Sequence, residues 1–313
     1  MNQISLCVST YNRVDDLKRL LSSALGQEPA IPIIVYDDAS SDGTSEVVRE
    51  QFPAVELITG QENVGLIAAR NICIRAASTP FVLILDDDAY FTSASTARQT
   101  VADFSSPAIA AVAVPFTENG ALMQGDQSGD TVQLARSFIG AAHALRRDAV
   151  LACGGLRESY RFYCEESDLS IRLLASGLVV RHGTSDPVEH CPNPDRHPLR
   201  RRQLRWRSEL RFKWCHTPTL FVVPVLVGHV GLLLVRSGQF GGLRESFRLC
   251  YSSCRDVFMS RFERKGVDIR TYLLWRRLAK LPRLTLDATD HVLAFRRAPQ
   301  QRQAQGRGIS LKR

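Results

Sequence analysis

Three consecutive aspartates, Asp86-Asp87-Asp88, end the uncharged apolar run Phe81 to Leu85, and that position makes them the first candidates for chemistry. On an extended segment residues two apart point the same way. Asp86 and Asp88 are therefore expected to share one hard divalent cation, with Asp87 turned elsewhere, toward a sugar hydroxyl. A Mg2+ or Mn2+ ion held by one or two carboxylates completes its shell with substrate phosphates. A second acidic group, Glu165-Glu166-Ser167-Asp168, opens a helical stretch whose Leu169, Leu173 and Leu174 share a face. Acids also gather at helix starts because the dipole is positive there, so this group leaves a catalytic and a structural reading open. Thr10, Tyr11, Asn12 and Arg13, then Asp37 and Asp38, then Asn63 and Gly65 with Arg70 and Asn71, and a lone His190 complete the set.

The elements that must position these residues are legible in the first 90 positions. Short apolar or β-branched runs at 4–9, 31–36, 55–59 and 81–85 alternate with helical periodicity at 14–25, 44–50 and 67–77. In the first of these helices Leu17, Leu20, Leu21, Ala24 and Leu25 share a face. A β-α-β-α series with right-handed crossovers builds a parallel sheet, and ligands of such sheets lie outside the carboxyl ends of the strands. Thr10 to Arg13, Asp37-Asp38, Asn63 with Gly65, Asp86 to Asp88 and His190 lie directly after strands, whereas Arg70 and Asn71 lie on the helix after the third strand and Glu165 to Asp168 open a later helix. Asp42-Gly43 is better read as a turn. Beyond Phe91 the pattern predicts a helix to 104, a strand over 109–116 and a weakly periodic loop over 119–131. Gly140 to Arg147 then leads into a short helix ending at Cys153, Gly154-Gly155-Leu156 forms a turn, and the helix from Glu165 stops at Gly177.

The chain has 313 residues, 44% hydrophobic and 23% charged, which excludes disorder as its main state. Its eight cysteines form no CxxC pair and its start lacks a basic segment followed by an apolar one. We read reduced thiols in a cytoplasmic chain, neither a disulfide framework nor a zinc ribbon. The net charge of +8 hides a division: residues 1–195 hold 14 Lys and Arg against 25 Asp and Glu, or −11, and residues 196–313 hold 26 against 7, or +19. An acidic half suits metal chelation; a basic half suits phosphates.

Taken together, the motifs resemble the inverting nucleotide-sugar glycosyltransferases of family 2, over about residues 1–215. The resemblance rests on Val8-Ser9-Thr10-Tyr11-Asn12-Arg13, Asp37-Asp38 through Thr44, Asn63-Val64-Gly65 with Ala69-Arg70-Asn71, Leu85-Asp86-Asp87-Asp88, Gly154-Gly155-Leu156, Glu165 to Leu169, and His190. No GxGxxG follows the first strand, as a Rossmann dehydrogenase would require. The resemblance implies the GT-A fold, with Thr10, Tyr11, Arg13 and Asp38 lining the nucleoside pocket, Tyr11 stacking on a pyrimidine and Asp38 accepting its ring N–H. It places Gly65, Arg70 and Asp87 with the donor, and makes Asp86 and Asp88 the aspartates of the DxD motif. Glu165-Glu166-x-Asp168 is similar to the family's acidic motif, with Glu166 the favoured base and Glu165 in reserve. His190 matches a histidine that joins the metal or the leaving diphosphate.

The expected fold class is α/β: a GT-A domain, Rossmann-like, with a mixed, mostly parallel sheet and flanking helices, plus a basic, mainly helical C-terminal extension. Residues 1–100 are its nucleotide-sugar-binding half, 101–215 its acceptor-side half, 216–297 an apolar segment with a basic helical extension, and 298–313 a disordered basic tail. A chain ending at Trp214 is expected to fold alone. Residues 217–235 carry no charge and stand between arginine-rich stretches. Their length suits a bilayer span, whereas Pro218, Pro224, Gly228, His229 and Gly231 suit an in-plane membrane segment or buried core. Arginines on both sides fit an anionic membrane surface, on the cytoplasmic face. No nucleic-acid module is recognisable. The function expected is metal-dependent sugar transfer from a nucleotide diphosphate sugar, a UDP- or dTDP-sugar, to a glycan or lipid-linked saccharide. The alternative is a noncatalytic membrane- or polyanion-binding scaffold.

Overall fold

A computed structural model describes residues 2–125, 132–160, 162–192 and 197–279, and Thr285. The expected tail, 298–313, and parts of the 119–131 loop lie outside the described residues. The first half follows the alternation read from sequence: β1 (Ile4–Thr10), α1 (Val14–Ala24), β2 (Ile33–Asp37), α2 (Thr44–Gln51), β3 (Glu56–Thr59), α3 (Leu66–Ala76) and β4 (Phe81–Leu85). These strands are parallel, in the order β3-β2-β1-β4. β1 and β4 are wholly buried, as continuous apolar runs covered on both faces must be. Leu25, assigned to the inner face of α1, is exposed instead.

The second half departs more. α4 (Thr96–Ala102) lies within the stretch read as a helix to 104, and the short β5 (Ala89–Phe91) just before it was not read from sequence. The strand expected over 109–116 is two, β6 (Ile109–Ala113) and β7 (Phe116–Glu118). Pro115 lies between them; it has no N–H for a ladder, and the chain changes sheets there. β8 (Ala121–Gln124), β9 (Leu134–Ala135), β10 (Ala142–Arg146), α5 (Arg147–Ala152), α6 (Glu165–Ala175), β11 (Val179–His182) and β12 (Val188–His190) follow. β10 runs antiparallel between β4 and β6, and β11 and β9 extend that sheet. The second sheet has the order β5-β12-β7-β8. It covers the carboxyl end of β4 and brings His190 opposite Ala89.

The C-terminal part consists of α7 (Pro198–His216), α8 (Thr219–Val235), α9 (Leu243–Met259) and α10 (Ile269–Leu278). α7, α8 and α9 bury a small core of Trp206, Leu210, Leu233, Phe240 and Leu249. The boundary at 215/216 does not separate this extension from the rest of the fold: α10 returns to the main core with Tyr272, Leu274, Trp275 and Leu278, and Trp275 packs 4.9 Å from Phe212. Ending the chain at Trp214 is thus expected to expose this seam. Each large side chain contributes roughly 1.5–3 kcal/mol of burial, so losing four of them removes a large share of a stability of about 5–15 kcal/mol. Urea denaturation of the shortened chain should show a far lower midpoint than the full chain, or no cooperative transition. Among the described residues no helix is long and apolar enough to cross a membrane. α8, with 17 residues, extends about 25 Å against a hydrocarbon core of about 30 Å.

Candidate active site

The three aspartates leave β4 in a turn, with Ala89 N–H donating to Asp86 O at 3.0 Å, not on an extended segment. Asp86 and Asp88 nevertheless face one point. His190 closes it from β12, and the ligand atoms of Asp86, Asp88 and His190 all lie within 4.8 Å of one another. His190 Nδ1 is 2.8 Å from Glu118 Oε1. That contact sets the ring so that Nε2 faces Asp88 Oδ1 at 3.2 Å. Nε2 is buried and makes no well-formed hydrogen bond, as a ligand nitrogen braced from behind would be. Burial works against the imidazolium, but Asp88 and Glu118 overcome it and raise the pKa of His190. Two carboxylates and one imidazole fit a hard divalent ion, which would replace that proton.

Asp87 turns the other way. Its carboxylate accepts from Thr10 Oγ1 at 2.9 Å and lies 3.5 Å from Arg13 Nε, so it braces the loop after β1 and not a sugar hydroxyl. Burial pushes its pKa up to about 7 although Arg13 opposes the shift. Arg13 also donates to Asp88 Oδ2 at 3.0 Å. Tyr11, on the loop after β1, is exposed, with about half of its surface accessible. Asp38 accepts from the N–H groups of Val64 and Gly65 at 2.7 and 2.9 Å. It thereby fixes the loop that carries Gly65, so both oxygens already have backbone partners where an acceptor for a base was expected. Asp42 is the turn residue read from sequence: it accepts from Thr44 N–H and, across the loops, from Val14 N–H, each at 3.1 Å.

Arg70 joins the metal end to the acidic motif. It is buried, pairs with Asp86, donates to Gly140 O at 3.0 Å, and lies 3.8 Å from Glu165. Burial disfavours its charge, yet Asp86, Glu165 and Glu166 raise its pKa. Asp86 N–H donates to Ala141 O at 3.1 Å, which sets Gly140 against this arginine. A methyl group on Gly140 would stand 2.9 Å from Glu166 Oε1 and 3.1 Å from Arg70 Nη1. Gly140 is therefore the space in which Arg70 and Glu166 meet.

Glu165 and Glu166 begin α6 and line, with Asp86 and His190, a cavity of about 1260 Å³. Burial raises both pKa values, that of Glu166 to about 8, with Glu165 as the next cause for Glu166. Arg70 lies beside Glu165, whereas no cation pairs with Glu166 among the described residues. Asp168, grouped with them by the motif, is elsewhere. It is fully buried and takes His216 Nε2 at 2.7 Å, Arg172 Nε at 2.8 Å and Arg157 Nη1 at 3.1 Å. It cannot touch an acceptor; it ties α6 to α7 and to the turn at Gly154-Gly155. Burial would raise its pKa, but His216 and the arginines hold it below the usual range. Asp168→Asn should leave these cations uncompensated and cost about 3–5 kcal/mol of stability, read as a lowered urea midpoint at neutral pH.

The sequence model described as Glycosyl transferase family 2 matches residues 5–156. Residues 5–156 form a family 2 glycosyltransferase domain. The succinoglycan biosynthesis protein ExoU of Rhizobium meliloti (strain 1021) is 27% identical over 205 residues, covering 56% of this chain and 57% of that protein. The chain thus matches little more than half the length of that relative. Among solved structures, S. aureus TarS 1-349 in complex with UDP-GlcNAc superposes with a TM-score of 0.60 at 15% identity, over 96% of this chain and 92% of that one. Mannosyltransferase PcManGT from Pyrobaculum calidifontis, in complex with GDP-Man and Mn2+, gives 0.57 at 19% identity, over 89% and 80%. Both likenesses concern the fold, which is GT-A.

Several parts of this site were not assigned from sequence. Glu118, which braces His190, sits on a three-residue strand and carries no local pattern. Asn71 was noted as part of a motif but its work is structural: its amide accepts from Leu156 N–H at 2.9 Å and donates to Leu156 O at 2.7 Å. Gly155, at φ +71°, lies so close that a Cβ would stand 2.8 Å from Asn71 Oδ1. The two distant motifs therefore form one clamp between α3 and the turn that precedes α6.

Proposed function

We propose that this chain is an inverting, metal-dependent glycosyltransferase that moves a sugar from a nucleoside diphosphate sugar to a saccharide or lipid-linked saccharide in polysaccharide or cell-surface glycan synthesis. One observation carries the reading: Asp86 and His190 line the same cavity as Glu165 and Glu166, so a cation site and a carboxylate with a pKa near 8 face one volume. Mg2+ or Mn2+, held by Asp86, Asp88 and His190, would neutralise the donor diphosphate as it leaves. Glu166 would take the proton of the acceptor hydroxyl from the opposite face of the anomeric carbon, and Arg70 would oppose the burial that raises the pKa of Glu165. Thr10, Tyr11 and Arg13 would hold the nucleoside, with a UDP- or dTDP-sugar as the donor. Hydrolysis of nucleotide sugars with and without added Mn2+ tests this. Metal-dependent release of the nucleoside diphosphate is expected; its absence across a broad donor panel would favour the scaffold reading.

The reading includes a location on the cytoplasmic face of an anionic membrane. α8 exposes Leu220, Val223, Val227 and Val235, and α9 exposes Leu243, Phe247, Tyr251 and Phe258. Leu220, Val223 and Val227, and Leu243, Phe247 and Tyr251, follow three- and four-residue spacing, so each set forms a stripe, with Val235 and Phe258 about two turns further on. Arg244, Arg248 and Arg255 lie exposed among them. Such a surface suits in-plane attachment. The full chain is expected to float with phosphatidylglycerol vesicles and to be only partly released by 1 M salt; sedimentation away from them at low salt would remove the membrane from the proposal.

A further inference from the structure

The cavity does not end at the carboxylates. It continues to α7, α8 and α10, where Arg136, Arg201, Arg205, Lys213 and Arg276 line it and Glu209 is the acid among them. Among the described residues none of these five cations pairs with a carboxylate within 4.0 Å. They are held by other means. Arg136 lies 3.4 Å over the ring of Trp275, Arg205 5.3 Å over Tyr163 and Arg276 6.0 Å over Tyr272. Arg201 donates to Tyr163 Oη at 2.9 Å. Lys213 Nζ is 2.6 Å from Nδ1 of His229. Burial and the nearby lysine push the pKa of His229 down to about 4, so the ring is neutral and accepts. Rings and a neutral imidazole position a cation without neutralising it. Guanidinium edges are left for a ligand, and their fork geometry matches phosphate oxygens.

Beside these cations the wall is Pro224, Val225 and Gly228 of α8. The same helix exposes Leu220, Val223 and Val227 on its outer surface. An anion held here would thus sit between the catalytic carboxylates and an apolar strip open to the exterior. A free phosphate would use the cations and leave the strip unexplained; a neutral glycan would use neither.

We propose that this end of the cavity is the acceptor subsite, and that it takes a lipid phosphate or diphosphate bearing the acceptor sugar, with the anion on Arg136, Arg205 and Lys213, the sugar toward Glu166 and the lipid chain along α8. The inference rests on the transferase reading and narrows its acceptor to one class. These cations would attract the donor's diphosphate as well, so the test must separate the two sites.

Isothermal titration of the full chain in EDTA, which silences the metal site, provides it, with farnesyl diphosphate, inorganic pyrophosphate and farnesol as probes. Farnesyl diphosphate should bind at least about tenfold more tightly than either fragment. The double variant Arg205→Gln/Lys213→Gln should weaken it at least about tenfold, the effect of one charge-assisted hydrogen bond or more. Lys213→Arg should retain the affinity. Titration of UDP with Mn2+ into the double variant should match the native chain. Equal binding of pyrophosphate and farnesyl diphosphate would overturn the lipid assignment, and unchanged binding in the double variant would overturn the site. Parallel loss of UDP affinity would assign these cations to the donor. Failure of the native chain to bind UDP with Mn2+ strikes the transferase reading itself, and is read separately because the lipid titrations contain no metal.

Discussion

Asp88→Ala is expected to remove the divalent-dependent part of nucleoside diphosphate binding, weakening UDP in the presence of Mn2+ by at least about a hundredfold, since a bound cation supplies several kcal/mol against phosphate charge. Asp86→Ala should act the same way. The geometry separates their side effects. Asp88 also receives Arg13 at 3.0 Å and faces His190, so its loss frees two cationic groups within the pocket. Asp86 holds Arg70, and its loss disturbs the link to Glu165. Asp88→Asn keeps the shape and controls for these changes. His190→Ala removes one neutral ligand and should cost less. Asp87→Ala should leave the metal dependence intact, because its carboxylate serves Thr10 and Arg13. Calorimetry with UDP, with Mn2+ or with EDTA, reads the five variants and the native chain. Equal UDP affinity in Mn2+ and EDTA for the native chain would show that the three residues hold no ion that matters to the donor.

The donor side of this site was legible because its residues lie next to strands whose signals are local. Phe81 to Leu85 is wholly apolar and buried, and a run of that kind marks a central strand wherever it stands. Its carboxyl end then marks the site. The acidic motif was legible as a motif but not residue by residue. Nothing near Asp168 in the sequence shows that Arg157 and His216, 11 residues before and 48 after it, converge on it, and that convergence is what separates it from Glu166. β10 was missed for a different reason. Ala-His-Ala-Leu-Arg is short and alanine-rich, with little β propensity of its own; it is a strand because β4 and β6 flank it. The return of α10 to the main core followed the same rule. The spacing of Tyr272, Trp275 and Leu278 says that one face is apolar, but what the face covers, Phe212 and its neighbours, is decided by tertiary packing.

Glu166→Gln should lower the rate of sugar transfer by about a hundredfold to ten-thousandfold, the usual contribution of a positioned base, while UDP affinity in Mn2+ is unchanged. The amide keeps the side chain's shape beside Gly140 but cannot accept the acceptor proton. Glu165→Gln should do more to Arg70 than to proton transfer, because Glu165 is the carboxylate beside that arginine. The pKa of Glu166, raised by burial and by Glu165 to about 8, adds two signs that can be checked. A base works deprotonated, so turnover of the native enzyme should rise with pH through that value, and a bound cation nearby would shift the rise to lower pH. Stability should run the opposite way. A carboxyl group whose folded pKa lies above its unfolded one contributes stability that is complete below the unfolded pKa and lost as pH rises through the folded pKa. The native chain should therefore lose stability as pH rises from the ordinary carboxylate range to about 8, with no further loss from this group above it, and Glu166→Gln should not show that loss. Slower transfer together with a higher urea midpoint at pH 9 is the outcome that identifies Glu166 as the base. Full turnover in Glu166→Gln with loss in Glu165→Gln would move the base by one residue.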